Sequence, residues 1–327
     1  MDKTIRWGIV GTGAIAAKFA TALRSLPEAA LVAIGSRTQA AADRFGENFL
    51  VPRRHGSYEA LVNDAEVDAV YVATPHNVHK ENALAAINAR KAVLVEKPFS
   101  INAGEAEQVL SAALAQQVTV MEAMWTRFLP LYVHLRKLIS EGSLGDTRLF
   151  TADFGISAVP ENRPRLFDPS LGGGALLDVG VYPVSLASMF FGVPSGVTGF
   201  AQIGSTGVDE LDSILLEYPG GRLASLNCSI TVGMNLEAEL CGTLARVRIH
   251  APLWKSQSMT LTQNDGTETE LKFPLQGNGY EYEAVHFMRL MREGKLESPL
   301  MSWEETRQVM VTMDQLRAAW KLKYPCE

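Results

Sequence analysis

The sequence predicts a two-domain α/β protein: a doubly wound parallel sheet, then an α+β domain built on an open, mostly antiparallel sheet. Two observations carry that prediction. Up to about residue 125, short apolar or β-branched runs alternate with alanine-rich stretches of helical length, and such alternation calls for crossover connections and a parallel sheet covered on both faces. Beyond that point the chain turns to short strand-like runs punctuated by turn residues, the habit of antiparallel strands. At 327 residues the chain exceeds one comfortable core, and the change of pattern draws the domains at 1–125 and 126–327.

In the first domain strands are expected at Ile5–Val10, Leu31–Gly35, Ala69–Ala73, Ala92–Val95 and Val118–Met121. Helices are expected between them at Ala14–Ser25, Ala40–Phe45, Tyr58–Val62, Lys80–Asn88 and Ala103–Ala115. A helix at Leu129–Glu141 then leads to a strand at Thr147–Phe154. A Pro- and Gly-rich passage from Val159 to Gly174 precedes a helix over Ala175–Phe191. Strands follow at Val197–Gly204, Asp212–Tyr218, Arg222–Thr231, Leu236–Cys241, Leu244–His250, Ser258–Thr262 and Thr269–Phe273. Gly220-Gly221 and Asp265-Gly266 read as two-residue hairpin turns. Helices at Glu281–Arg292 and Ser302–Leu322 close the chain, the second opened by Ser302 and Glu305 at capping-box spacing. The chain's own helices cover one face of such an open sheet, and a partner subunit is expected on the other, giving a homodimer.

Composition excludes several classes. A net charge of −6 and a pI near 5.6 lack the basic face that a nucleic-acid partner requires. The three cysteines, Cys228, Cys241 and Cys326, have neither metal-type nor disulfide-type spacing, which points to a reducing compartment. The amino terminus runs straight into an apolar strand without a cleavable leader, and no apolar run is read as approaching the ~20 residues of a membrane span. A cytoplasmic location is therefore expected. His55, His134, His250 and His286 have no partners at ligand spacing, and no metal motif is present.

The most specific local signal is Gly8-Ile9-Val10-Gly11-Thr12-Gly13-Ala14-Ile15-Ala16, which reads as strand, tight turn and helix. Gly11 permits the turn, Gly13 lets the backbone approach a pyrophosphate, and Ala16 is small enough for close helix–strand packing. The helix N-terminus offers unpaired N–H groups and the positive end of its dipole to phosphates. A glycine pattern alone is weak, but one that follows a strand and opens a strand–helix series marks a Rossmann domain that binds NAD or NADP. The second strand ends in Ser36-Arg37, where NAD sites usually carry an acid for the ribose 2′-hydroxyl. A hydroxyl and a guanidinium suit a 2′-phosphate instead, so NADP is expected, with NAD as the alternative.

Two further places bear chemistry. The fourth strand runs into Glu96-Lys97-Pro98, and ligands gather beyond the carboxyl ends of parallel strands, so Lys97 is expected at the nicotinamide edge. Asp178 and Tyr182 lie four residues apart near the start of the helix that follows the Gly172-Gly173-Gly174 triplet, which would put them on one helical face. A tyrosine beside a lysine cation can exchange a proton with a reacting hydroxyl. The structural alternative, a packed Tyr182 with Asp178 capping the helix, weighs equally on spacing alone.

The ordered set of Gly11-Thr12-Gly13-Ala14-Ile15-Ala16, Thr74-Pro75-His76-Asn77-Val78-His79, Glu96-Lys97-Pro98 and Gly173 through Tyr182 resembles the glucose–fructose oxidoreductase / inositol dehydrogenase (Gfo/Idh/MocA) family. Glu122-Ala123-Met124-Trp125-Thr126-Arg127-Phe128-Leu129-Pro130 resembles its branch of dimeric trans-1,2-dihydrodiol dehydrogenase and NADP-linked D-xylose 1-dehydrogenase. The motifs cover the chain to about Phe191. The resemblance implies that Lys97 and Tyr182 form the catalytic pair, with Asp178 supporting the substrate or Tyr182, and that the Lys97–Pro98 bond is cis. Many members carry His in place of Tyr182, so the tyrosine argues against a His-based relay. The implied cofactor set is Gly11, Gly13, Ala14, Ile15, Ser36, Arg37, Thr74, His79, Glu96 and Lys97. His79 has capping of the Lys80–Asn88 helix as its alternative role. His76, Trp125, Phe154 and Trp254 are candidates for a substrate wall, with core packing as the commoner role for such aromatics.

These readings converge on an NADP-linked oxidoreductase that oxidises a secondary hydroxyl of a sugar or cyclic diol, or runs the reverse. A non-catalytic NAD(P) sensor that binds a protein partner is the rival from another class, and reduction of a C=C bond is a third reading.

Overall fold

The computed structural model describes residues 4–327. The chain divides into two compact units: one runs to Trp125 and also takes Gln276–Thr306, the other comprises Thr126–Leu275 with Arg307–Glu327. A single cut after residue 125 therefore misses the return of residues 276–306 to the first unit. That return has a physical reason. The apolar face of the helix at Tyr280–Arg292 carries Phe287, whose ring meets Trp7 at 5.5 Å.

The first unit is built on β1 (Ile5–Val10), α1 (Ala14–Arg24), β2 (Ala29–Gly35), α2 (Gln39–Phe49), β3 (Arg53–His55), α3 (Tyr58–Val62), β4 (Ala69–Val72), α4 (His79–Asn88), β5 (Ala92–Glu96), α5 (Ala103–Gln116) and β6 (Val120–Ala123). The six strands are parallel in the order β3-β2-β1-β4-β5-β6. Every residue of β4, β5 and β6 is buried, as befits a sheet covered on both faces. Strand β3 carries no apolar run, only Arg53-Arg54-His55, and hydropathy patterning gives no sign of it.

The second unit contains α6 (Pro130–Ser140), β7 (Thr147–Gly155), α7 (Val181–Phe191), β8 (Gly196–Ile203), β9 (Asp209–Tyr218), β10 (Arg222–Ser229), β11 (Ala238–Gly242), β12 (Ala245–Ile249), β13 (Ser258–Gln263) and β14 (Glu268–Lys272). The remaining helices, α8 (Tyr280–Arg292) and α9 (Trp303–Trp320), complete the chain. The eight strands are ordered β14-β13-β12-β11-β7-β10-β9-β8, and only the β7–β10 pair is parallel. Alternation fixes its two faces: Phe150, Ala224, Leu226, Ile214 and Leu216 are buried, while Leu149, Leu223 and Leu215 are exposed.

The structure corrects three local expectations. Neither hairpin is a two-residue one: Tyr218 pairs with Arg222, so Pro219 joins Gly220 and Gly221 in a three-residue turn with both glycines at positive φ, and at Asp265-Gly266 only Gly266 has positive φ. The Gln263 amide donates to Thr267 there, which makes a longer loop with Gly266 in the left-handed position. The helix expected over Ala175–Phe191 opens with a π-helical turn at Leu176–Gly180 before α7 begins. Finally, one described stretch, Pro169–Phe191, does have the length and apolarity of a membrane span. Its window is 89% buried, however, because α7 is the core helix of the second unit and apolar on all sides.

Ser302 and Glu305 form the expected capping box: the Glu305 amide donates to Ser302 Oγ at 3.2 Å and the Ser302 amide to Glu305 Oε2 at 3.4 Å.

Candidate active site

The turn from β1 into α1 is shaped by glycine at two points for different reasons. Gly11 has φ +109°, and a Cβ there would lie 2.6 Å from the Ala73 carbonyl oxygen. Gly13, the N-cap of α1, has nothing within 4 Å of its would-be Cβ and no side chain capping the helix. The first-turn N–H groups around Ala14 and Ile15 thus face open space, a cradle that fits a pyrophosphate. At the end of β2, Ser36 is buried with its amide donating to the His55 carbonyl, and Arg37 is exposed. The residues that follow β2, Ser36-Arg37-Thr38, include no carboxylate.

The ends of β4 and β5 are tied together by one imidazole. His79 is fully buried, with Nδ1 2.8 Å from the Pro98 carbonyl oxygen and Nε2 2.9 Å from the Thr74 carbonyl oxygen. It neither caps α4, whose N-cap is Val78, nor lies at the surface; it spans two loops. Asn82 Nδ2 adds a bond to Thr74 Oγ1 at 3.1 Å. The Lys97–Pro98 peptide is cis. Glu96 turns inward: it accepts from the Tyr71 hydroxyl, and its Oε2 accepts from the Lys97 amide at 3.1 Å. Burial pushes the Glu96 carboxyl up, against the opposing pull of Lys97. Glu96 therefore anchors the Lys97 backbone from beneath. His76, 5.6 Å from the His79 ring, is buried on the short turn before α4. Trp125 stacks on Tyr280 at 4.5 Å, a partner that sequence patterning did not single out.

In the second unit, Asp178 sits within the π-turn and Tyr182 in α7, so regular helical spacing does not relate them. Asp178 accepts from Arg165 Nη2 at 2.6 Å. Arg165 belongs to a short helical turn, Pro164–Phe167, in the Pro- and Gly-rich passage. The same passage folds onto Gly173, whose would-be Cβ lies 2.6 Å from the Leu166 carbonyl oxygen. Tyr182 packs beside Phe154 at 5.3 Å, and Phe154 stacks flat on Trp254, 4.0 Å away at an interplanar angle of 7°. The Trp254 turn is held by Thr126 Oγ1 donating to the Trp254 carbonyl at 2.8 Å and Tyr132 donating to the Leu253 carbonyl at 2.5 Å. Phe154, Trp254 and Tyr182 thus form one aromatic group.

A six-stranded sheet in this order, with an uncapped glycine turn after its first strand, defines a dinucleotide-binding domain. Comparison with known proteins gives the family. Residues 5–124 match the oxidoreductase family with an NAD-binding Rossmann fold, and residues 132–248 match the GFO/IDH/MocA C-terminal domain. The chain belongs to the Gfo/Idh/MocA oxidoreductase family. It is 37% identical to trans-1,2-dihydrobenzene-1,2-diol dehydrogenase of Mus musculus and 35% identical to that of Homo sapiens, each match covering 98% of both chains. Among solved structures, a 3-ketoreductase from Actinomadura kijaniata in complex with NADP and TDP-benzene is 27% identical with a TM-score of 0.85, covering 97% of this chain and 98% of that one. An aldose-aldose oxidoreductase from Caulobacter crescentus, 22% identical over 98% of each chain, shares the fold at a TM-score of 0.89.

Proposed function

We propose that this protein is an NADP-linked dehydrogenase that oxidises a secondary hydroxyl on a cyclic diol or sugar, or reduces the corresponding carbonyl. The observation that carries the reading is the flat Phe154–Trp254 stack with the Tyr182 phenol beside it. Stacked aromatic faces offer apolar area to the C–H face of a ring-shaped substrate, and the phenol adds a proton-transfer group next to that area. Whole-chain similarity to dihydrodiol dehydrogenases supports the same substrate class.

The nicotinamide, when bound, exchanges the hydride. Gly11, Gly13 and the first turn of α1 hold its pyrophosphate, and Ser36 with Arg37 favours the 2′-phosphate of NADP over NAD. In the oxidising direction Tyr182, as the phenolate, takes the proton of the reacting hydroxyl, and in the reverse direction its phenol returns that proton to the oxygen. The Lys97 ammonium steadies the negative charge on oxygen, and the Glu96 and His79 contacts fix its loop. Asp178, tied to Arg165, positions the turn before Tyr182.

Changing Tyr182→Phe leaves NADPH binding intact and lowers turnover by a factor on the order of 10² or more. The assay is a panel of aldoses, cyclic polyols and dihydrodiols with NADP and with NAD. Full turnover by the phenylalanine variant removes Tyr182 from the chemistry. Failure of every member of the panel, and of every carbonyl offered with NADPH, favours a non-catalytic sensor.

The open face of the second sheet supports a homodimer. Leu149, Leu223, Leu215 and Phe200 form a diagonal band on it: Leu149 pairs with Leu223, Leu215 lies two residues along β9 from Glu217, the partner of Leu223, and Phe200, 85% exposed, pairs with Ser213 two residues beyond Leu215. A second copy covering this face would remove that apolar band from water.

A further inference from the structure

Behind the π-turn that carries Asp178 lies a second pair of acids. Asp209 and Asp212 on β9 are both fully buried. Asp209 Oδ2 accepts from the Leu176 amide, the first residue of the π-turn, at 2.5 Å. Asp212 Oδ2 accepts from the Cys228 thiol on β10 at 3.1 Å. Among the described residues each acid is left with its Oδ1 buried and without a donor, and the two side chains lie within hydrogen-bonding reach of each other. Two carboxylates cannot satisfy each other, because neither has a donor; one added proton turns two orphaned acceptors into one hydrogen bond.

We propose that Asp209 and Asp212 share a single proton, and that this bond positions the π-turn bearing Asp178 and with it the start of the helix bearing Tyr182. The role rests on the proposed function, for it is the Tyr182 chemistry that the positioning serves.

The surroundings decide where the charge sits. Asp209 feels the Arg317 guanidinium and takes the Leu176 N–H, so it holds the negative charge; Asp212, facing only the weak Cys228 donor, holds the proton. Burial first, and the Asp209 charge second, push Asp212 up to about 9. Arg317 on α9 is itself paired with Asp314 at 2.6 Å and Glu327 at 3.0 Å. The Tyr324 hydroxyl donates to the Gly173 carbonyl at 2.8 Å and completes the set of titratable groups around the pair. Gly174 admits the arrangement: at φ +110°, a Cβ there would lie 2.1 Å from Asp209 Oδ1.

Two variants test the proposal. In Asp212→Asn the amide donates permanently to Asp209 Oδ1 and still accepts from the thiol. Folded Asp212 keeps its proton up to about 9, while the unfolded chain loses it above 3.8. Its contribution to stability is therefore present at low pH and drains away as pH rises through that window. The thermal midpoint of Asp212→Asn, measured without substrate or cofactor, rises relative to the unaltered chain between about pH 5 and about pH 9 and then levels. The variant also keeps its turnover above about pH 9, where the unaltered chain loses it, with the same KM for NADP. Asp209→Asn sets a neutral amide against the Leu176 N–H. At neutral pH its kcat falls about tenfold, and amide hydrogen exchange quickens over residues 174–182 but not over β1 and α1. Identical midpoint profiles for Asp212→Asn and the unaltered chain overturn the shared proton. Unchanged exchange over 174–182 in Asp209→Asn overturns the positioning role. Neither reading needs a substrate, so both stand apart from failure of the proposed reaction.

Discussion

The two sheets place their chemical groups by opposite means. In the parallel sheet every group of interest sits at a strand end and is reached within a few residues: Gly11 after β1, Ser36 after β2, Thr74 after β4, Lys97 after β5. In the mostly antiparallel sheet the groups come from far apart in sequence. Arg165 comes from a loop, Asp178 from a π-turn, Phe154 from β7, and Trp254 from the turn after β12. A parallel sheet gathers its strand ends on one edge by topology alone, so short contiguous motifs suffice. An antiparallel sheet has no such edge, and its site depends on tertiary bonds that each fix one distant segment.

The sharpest way to break that contrast is at Gly11. A side chain there meets the Ala73 carbonyl and must also adopt a strained φ. Gly11→Val is expected to weaken NADPH binding by two orders of magnitude or more and to cost roughly 3 kcal/mol of stability. Fluorescence titration and urea unfolding measure the two. Unaltered binding would show that the phosphates do not use this turn and that contiguous motifs do not locate the cofactor.

A smaller effect is expected from the open face. Leu215 is 55% exposed in the middle of the apolar band. A carboxylate there, Leu215→Glu, would be buried unpaired in a dimer and weaken association by about 100-fold or more. Sedimentation velocity reads this directly. If the unaltered chain sediments as a monomer, the face has another use and the homodimer falls.

Legibility in the sequence follows the same division. The alternation of β4 and β5 with α4 and α5 reveals the first sheet because complete burial makes its strands uniformly apolar. Strand β3 stays hidden because a three-residue edge strand of Arg53, Arg54 and His55 has no burial to advertise. Asp178 and Tyr182 are visible as residue types, but their relation is not, since a π-turn changes the spacing that a regular helix would impose. Arg165 gives no signal beyond being a cation in a Pro-rich loop, and its partner lies 13 residues on. Asp212 was readable in principle: it occupies the inward phase of a strand whose next inward residues are Ile214, Leu216 and Tyr218. An acid in that phase must be either paired or protonated.

The first unit also buries an acid, and it sharpens the comparison through pH. Glu283 on α8 is fully buried, and neither carboxyl oxygen meets a hydrogen-bond partner among the described residues. Burial first, and the Glu96 charge second, push its carboxyl well above the ordinary 4.5. The folded chain therefore holds a proton that the unfolded chain gives up above 4.5. The stability tied to this group is complete at low pH and is lost progressively as the pH climbs above that value. Glu283→Gln keeps the shape and removes the proton linkage. Its thermal midpoint should match the unaltered chain near about pH 4 and exceed it by a few degrees at about pH 8, with kcat nearly unchanged. Unlike the acids of β9, Glu283 grips no N–H of a site-bearing turn in its neutral form, so it should reveal itself in stability alone. A drop in kcat with the midpoint unmoved would instead assign Glu283 a part in the chemistry through Glu96 and the Lys97 backbone.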